Sequence, residues 1–233
     1  MNKEKIMKIF NGKMGNKIGK YKTYGIMILI YENQGESYLI LEKRALSLRS
    51  QPGDICLPGG KLEQGETPKE AALRETMEEL NLKREEINYV GEMDYFITPY
   101  GSILYPFVST IDNFPSDPSK DEVDELIMLP IDFLISEKPY EYKMNIGPRN
   151  YDDFPFDLIN GGKDYKFSEG TMPQYFYEYK NHVIWGFTAR VLKEFADIIK
   201  EELWQSQLLD LAIILALLSN TYFNFRYVFI YRG

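Results

Sequence analysis

The alternation of apolar and polar positions divides the chain into elements before any single residue is weighed. TYGIMILIYE (23–32) and SYLILEKR (37–44) are short apolar runs rich in aliphatic and aromatic residues, and the turn residues Asn33, Gln34 and Gly35 join them, so they read as two strands. INYVGEMDYFITPY (87–100) and SILYPFVSTI (102–111) read as further strands, broken at Pro99-Tyr100-Gly101. A period near 3.6 predicts one helix over 68–80 and another over 188–203. Segment 136–180, rich in Tyr, Gly, Pro and Asn, predicts an elaborated loop region.

The first of these helices carries its own start and stop signals. Thr67 is placed to cap it, Pro68 suits its first position, Glu70 completes a capping box, and Asn81 suits a left-handed end. Leu73, Thr76, Met77 and Leu80 fall on one side, with Glu75, Glu78 and Glu79 opposite. Like charges three and four residues apart each cost about 0.2–0.5 kcal/mol on an isolated helix, so a positive partner is expected. Arg74 supplies an internal one. A hard divalent cation is the other, because Mg²⁺ binds through one or two carboxylates together with water and substrate phosphates. Gly59 and Gly60 let the chain turn sharply beside the cluster, and Glu66 adds a fourth carboxylate.

The two ends differ in character. Residues 1–22 hold seven lysines against one acid and lack the apolar core of a secretory signal; they read as a basic arm or a leading strand. The apolar run 208–218 contains Asp210 and falls short of the roughly 20 residues a membrane span requires, so no membrane role is expected. Beyond it, aromatics at Phe223, Phe225, Tyr227, Phe229 and Tyr231 alternate as in a strand. An exposed edge of this kind needs a partner, and a homodimer provides one.

Composition narrows the function classes. At 233 residues with 44% hydrophobic content, the chain supports one globular domain with decorations. A net charge of -8 argues against nucleic acid as a partner. The single cysteine, Cys56, excludes an intramolecular disulfide framework or a cysteine-rich zinc site and fits a reducing cytoplasm; His182 is the only histidine.

Gly60, Glu66 and the run Arg74-Glu75-Thr76-Met77-Glu78-Glu79-Leu80 resemble, at fixed spacing, the Nudix box. Thr76 stands where the motif has a bulky aliphatic residue, and Asn81 where it has a closing glycine. The resemblance implies an α/β fold, a Nudix-type α/β/α sandwich around a mixed β-sheet, over about 1–203, with 204–233 as an apolar and aromatic tail. It also implies hydrolysis of a nucleoside diphosphate linked to another group, with Mg²⁺ or Mn²⁺. Upstream, Arg44, Leu48-Arg49, Gly53 and Pro58-Gly59-Gly60 resemble the additional signature of the coenzyme A diphosphatase branch, which commonly has His where this chain has Gln51. HVIWGFTARVLKEF (182–195) resembles the start of the last helix in the same branch.

By that resemblance, Glu75 and Glu79 are the principal metal ligands. Glu78 is a further ligand or the general base, Glu66 lies close to the site, and Arg74 holds a glutamate in place. Arg44, Arg49, Gly59 and Gly60 are expected against the substrate phosphates. The base can also stand outside the box, where Glu122 and Glu125 are candidates. Trp185 and Phe187 read as core residues at the entry to the last helix. The implied products from coenzyme A are 3′,5′-ADP and 4′-phosphopantetheine. ADP-ribose, a dinucleotide or a nucleoside triphosphate are alternative substrates, and a catalytically silent ligand-binding regulator is the alternative outside enzymes.

Overall fold

The computed structural model describes residues 1–148 and 151–230, and for 212 and 214–230 the backbone alone. In chain order the elements are α1 (Lys3–Phe10), β1 (Lys22–Asn33), β2 (Glu36–Arg44), β3 (Ile55–Cys56), β4 (Gly59–Lys61), α2 (Pro68–Leu80), β5 (Asn88–Glu92), β6 (Phe96–Ile97), β7 (Ser102–Ile111), β8 (Val123–Pro130), α3 (Ile131–Ser136), β9 (Tyr140–Ile146), β10 (Gly170–Tyr179), β11 (His182–Trp185) and α4 (Gly186–Ile230).

β1 and β2 begin as a hairpin, with Gln34 and Gly35 both at positive φ in the turn. They then diverge, and the β3–β4 segment fills the fork. β3 pairs with the far end of β2, setting Cys56 opposite Glu42, while β4 pairs with the beginning of β1, setting Gly59 opposite Ile26. Between them the Met27 N–H donates to the Pro58 carbonyl at 2.8 Å, closing the wedge. The other edge of β1 takes β7 in parallel over 22–31 and 102–111, and β5 and β6 lie antiparallel to β7. β8 flanks β2. The sheet is therefore mixed, as the sequence implies.

Strand alternation sends side chains to two cores. Leu39, Leu41, Ile55 and Leu57 pack with Leu134, Leu192 and Phe195 on the face covered by α3 and α4. Met27, Leu29 and Ile40 pack with Ala72, Leu73 and Leu80 beneath α2. A small antiparallel sheet, β11-β10-β9, adjoins α4 and adds Tyr175, Tyr177 and Ile184 to the first core. The result is an α/β/α sandwich.

Three expectations change. Residues 1–22 contain the helix α1, whose Ile6, Met7, Ile9 and Phe10 are exposed, and form no leading strand before β1. The loop region 136–180 contains all of β9 and β10, whose aromatic residues pair across the strands, as Tyr140 does with Phe176. The tail is helical through Ile230. A strand there would leave its backbone groups without a ladder, whereas continuing α4 satisfies them internally. Trp204, Leu208, Leu209, Leu211 and Ile213 on this extension are exposed, and Tyr231 lies outside the described residues. Among the described residues no helix is long and apolar enough to cross a membrane.

α2 sits unusually close to β1. A Cβ on Gly25 would come within 2.0 Å of the Pro68 carbonyl oxygen and 2.7 Å of the Ala72 nitrogen, both backbone atoms. Gly25→Ala is therefore expected to destabilise the fold by about 3 kcal/mol, the upper range for overpacking, through forced displacement of α2. Gly170→Ala, with nothing within 4 Å of the added carbon, is the control. Urea unfolding of the two variants checks this, and equal midpoints would refute the close approach.

Candidate active site

The site begins with how α2 is fastened. Thr67 Oγ1 accepts from the Glu70 N–H and Glu70 accepts from the Thr67 N–H at 2.7 Å, completing the capping box, while Asn81 ends the helix in the left-handed conformation. Thr76 is buried, and its hydroxyl donates to the Ala72 carbonyl at 2.7 Å. That bond satisfies the polar atom which replaces an aliphatic group.

The three glutamates do not share one exposed face. Glu78 is exposed, Glu75 is half-buried, and Glu79 is only 4% exposed. Glu79 points under the β3–β4 turn, where its Oε2 accepts from the Gly59 N–H at 2.8 Å. Gly60 lies flat against Glu75, since a Cβ there would fall 2.2 Å from the Glu75 carboxyl carbon. Gly59 has φ +140, and a side chain there would strike the β1 backbone. Both glycines are thus walls against which carboxylates are set.

Arg74 links the rest. Its Nε donates to Glu66 at 2.7 Å, and its terminal nitrogens reach Glu75 at 2.9 Å, Glu78 at 3.2 Å, Glu66 again at 3.2 Å and the Lys61 carbonyl at 3.2 Å. Glu66 also accepts from the Glu63 N–H at 2.8 Å, and these bonds hold its carboxyl below the usual range. Arg74 is accordingly a hub that fixes carboxylates on the loop and the helix together.

Outside the box, Glu122 reaches the cluster through the backbone. The Ser119 N–H donates to the Glu79 carbonyl at 2.8 Å and the Ala45 N–H donates to the Glu122 carbonyl at 2.8 Å, pinning the start of β8 to the C-terminal turn of α2. The other candidate base, Glu125, instead faces His182 at 3.6 Å. Arg44 anchors the loop between β2 and β3: its N–H donates to Asp54, its carbonyl accepts from Gly53, and its side chain donates to Ser50. Arg49 lies exposed on that loop, and Gln51 takes a left-handed conformation at φ +51.

Sequence reasoning missed Glu42. It is 2% exposed, and its Oε1 has no hydrogen-bond partner among the described residues. The available signal was an acid continuing the apolar run Leu39-Ile40-Leu41 in phase with a buried face. Burial, then the nearby Glu79, raises the Glu42 proton affinity well above the ordinary range, and Arg44 opposes this. Glu79 is pushed up to about 8, chiefly by burial, with the Gly59 N–H opposing and the charges of Glu75 and Glu122 adding to the rise. Burial likewise raises Glu75, and it raises the Cys56 thiol to about 12, leaving that cysteine inert.

The aromatic expectation also needs correction. Trp185 is exposed and stacks on Phe176, with ring centroids 6.2 Å apart, because the short strand β11 presents it outward; Phe187 contacts Phe96 and Tyr100. Trp185, Phe176, His182, Lys43 and Ile55 line a cleft of about 490 Å³, which none of the clustered glutamates borders.

The donor chemistry fits a hard divalent cation. Buried Glu42 and Glu79 have their proton affinity raised by burial and by neighbouring carboxylates, and one Glu42 oxygen lacks a partner among the described residues, which is the imbalance a cation corrects. Among the described residues no three His, Cys, Asp or Glu side chains are already gathered as a cage. Such a site would rely on few protein ligands with water and substrate completing the set.

The Nudix domain model matches residues 22–145, more than half of the chain, and the chain belongs to the Nudix hydrolase family, which acts on pyrophosphate bonds. It is 26% identical over 187 residues to the peroxisomal coenzyme A diphosphatase NUDT7 of Mus musculus, covering 77% of this chain and 71% of that protein. It is 32% identical over 123 residues to Nudix hydrolase 3 of Caenorhabditis elegans, covering 48% of this chain and about half (49%) of that protein. A solved MutT/nudix family protein from Enterococcus faecalis is similar at 19% identity and a TM-score of 0.40, over 56% of this chain and 51% of its own.

The raised carboxylates have a consequence for stability. Glu42, Glu75 and Glu79 bind protons more tightly folded than unfolded, so the folded state holds more protons between about 4.5 and about 8. With chelator present, the melting temperature is expected to fall as pH rises through that window, and Glu79→Gln should flatten the fall. Scanning calorimetry checks this; a melting temperature that climbs across the window would contradict the burial of these charges.

Proposed function

We propose that this protein hydrolyses the diphosphate of coenzyme A or its thioesters, releasing 3′,5′-ADP and 4′-phosphopantetheine or its acyl derivative. The observation that carries the proposal is contiguity. Arg44, which opens the signature shared with the coenzyme A diphosphatase branch, braces the loop holding Arg49 and Gly53, and its charge also acts on Glu42 and Glu79. The loop expected to hold substrate phosphates is thus tied to the carboxylates expected to serve the reaction. The similarity to the mouse coenzyme A diphosphatase supports the same reading.

Nudix hydrolases generally need a divalent cation, and here Glu75 and Glu79 would hold it, with Glu78 as a further ligand. Bound there, Mg²⁺ or Mn²⁺ supplies positive charge to the diphosphate and makes nearby water more acidic. The chain's own residues do the remainder. Arg74 keeps Glu75, Glu78 and Glu66 in register, and the Gly59 N–H fixes Glu79. Arg44 and Arg49 orient phosphate groups, since a guanidinium matches phosphate oxygens in a planar fork. A carboxylate, Glu122 or Glu78, accepts a proton from the attacking water. The new P–O bond forms as the bridging P–O bond breaks, and the leaving phosphate departs as an anion.

A substrate panel with Mg²⁺ or Mn²⁺, read by product chromatography, tests the proposal. Coenzyme A or a thioester is expected to turn over faster than ADP-ribose, a dinucleotide or a nucleoside triphosphate, and equal or faster turnover of any of these would overturn it. Glu79→Gln is expected to lower turnover at least about a hundredfold with the fold retained, because it removes a metal-holding charge and keeps the volume. Calorimetric folding curves and steady-state rates measured on the same preparation check this, and unchanged metal dependence would reject the role of Glu79.

A further inference from the structure

We propose that Glu42, on β2 and outside the Nudix box, is a further metal-holding residue of this site, facing the cation from the sheet side while Glu75 and Glu79 face it from α2. This rests on the reading of Glu75 and Glu79 as cation holders. Strand alternation sets the direction of the side chain. Leu39 and Leu41 belong to the core under α4 and Ile40 to the core under α2, so Glu42 faces α2. Its register partners agree: Leu126 packs on the α2 side, and Cys56 lies between Ile55 and Leu57, which both face α4.

What Glu42 meets on that side is the acid cluster. The charges of Glu79, Glu122 and Glu75 all act on it, and Arg44 is the cation that opposes them. A buried acid kept for structure is normally hydrogen-bonded, because leaving it unpaired in the interior is costly. Glu42 has its Oε1 unpartnered among the described residues at 2% exposure. An acid cluster alone would be an ordinary solvated stripe. A buried, unpartnered oxygen turned toward that cluster from the opposite layer makes it a receptacle for positive charge. Arg44, whose side chain donates to the Ser50 carbonyl, offsets only part of that negative charge.

The test reads metal affinity without any substrate. Mn²⁺ is titrated into the full chain, with free ion measured by electron paramagnetic resonance and heat by calorimetry, for the wild type, Glu42→Gln and Glu42→Asp. Glu42→Gln keeps the volume and is expected to weaken Mn²⁺ binding at least about tenfold and to lessen the rise in melting temperature that Mn²⁺ gives. Glu42→Asp keeps the charge and is expected to lie between that variant and the wild type, so the ordering survives even where one variant folds poorly. Equal affinity in Glu42→Gln and the wild type would overturn the inference, as would a wild type that binds no Mn²⁺. Because no coenzyme A is present, failure of the substrate assignment shows in the panel and not in this titration.

Discussion

No side chain fits between the first turn of α2 and β1, and most of the site follows from that contact. At Gly25 the helix backbone rests directly on the strand backbone. An α2 held so low brings Glu79 under the β3–β4 turn and Glu75 against Gly60, out of water. Carboxylates on a helix standing a few ångströms further out would be ordinary surface acids. Burial is the first cause of the raised proton affinity of Glu79, Glu75 and Glu42 alike, so the electrostatics are a product of backbone packing.

Arg74 solves a different problem from a bound cation. Surface ion pairs contribute little individually, but this guanidinium is about a quarter exposed and serves Glu66, Glu75 and Glu78 at once. It offsets the like-charge crowding of the outer glutamates and fixes their positions. It makes no hydrogen bond to Glu79 or Glu42, the deepest acids, whose raised proton affinity Arg44 opposes instead. The site therefore has a peripheral tier neutralised by Arg74 and an inner tier that, without a cation, holds protons instead.

Much of this was legible in the sequence because it rests on local chemistry. The capping box of Thr67 and Glu70, the left-handed Asn81 and the hairpin turn at Gln34 and Gly35 are decided by neighbours a few residues apart, and the structure reproduces them. The spacing of Gly60, Glu66, Arg74, Glu75, Glu78 and Glu79 likewise identified the family. Glu42 was not legible, because an acid near a strand end reads as solvated until the strand's two faces are assigned to opposing layers. The tail misled for a related reason: alternating aromatics signal a strand only when a neighbouring strand accepts the ladder, and here the helix of α4 continues instead. Trp185 was read as core from its place before a helix, but the short strand β11 turns it outward.

The fork between β1 and β2 also sets an order of assembly. Its contents, from Glu42 through Cys56 and Gly59 to Glu79, lie within one short stretch of chain, and the β1–β2 hairpin that opens it is local. Closing it demands distant partners: β7 must align in parallel with β1 across some eighty residues, and β8 must return to the far edge of β2. Such non-local pairings carry the larger loop-closure entropy and form late. The box helix and its turn can meet while the chain is still open, but water leaves the inner acids only when β8 arrives with Ser119 to seal the end of α2. Dehydration of the charge cluster thereby becomes one of the last events of folding, placed after the contacts strong enough to bear it.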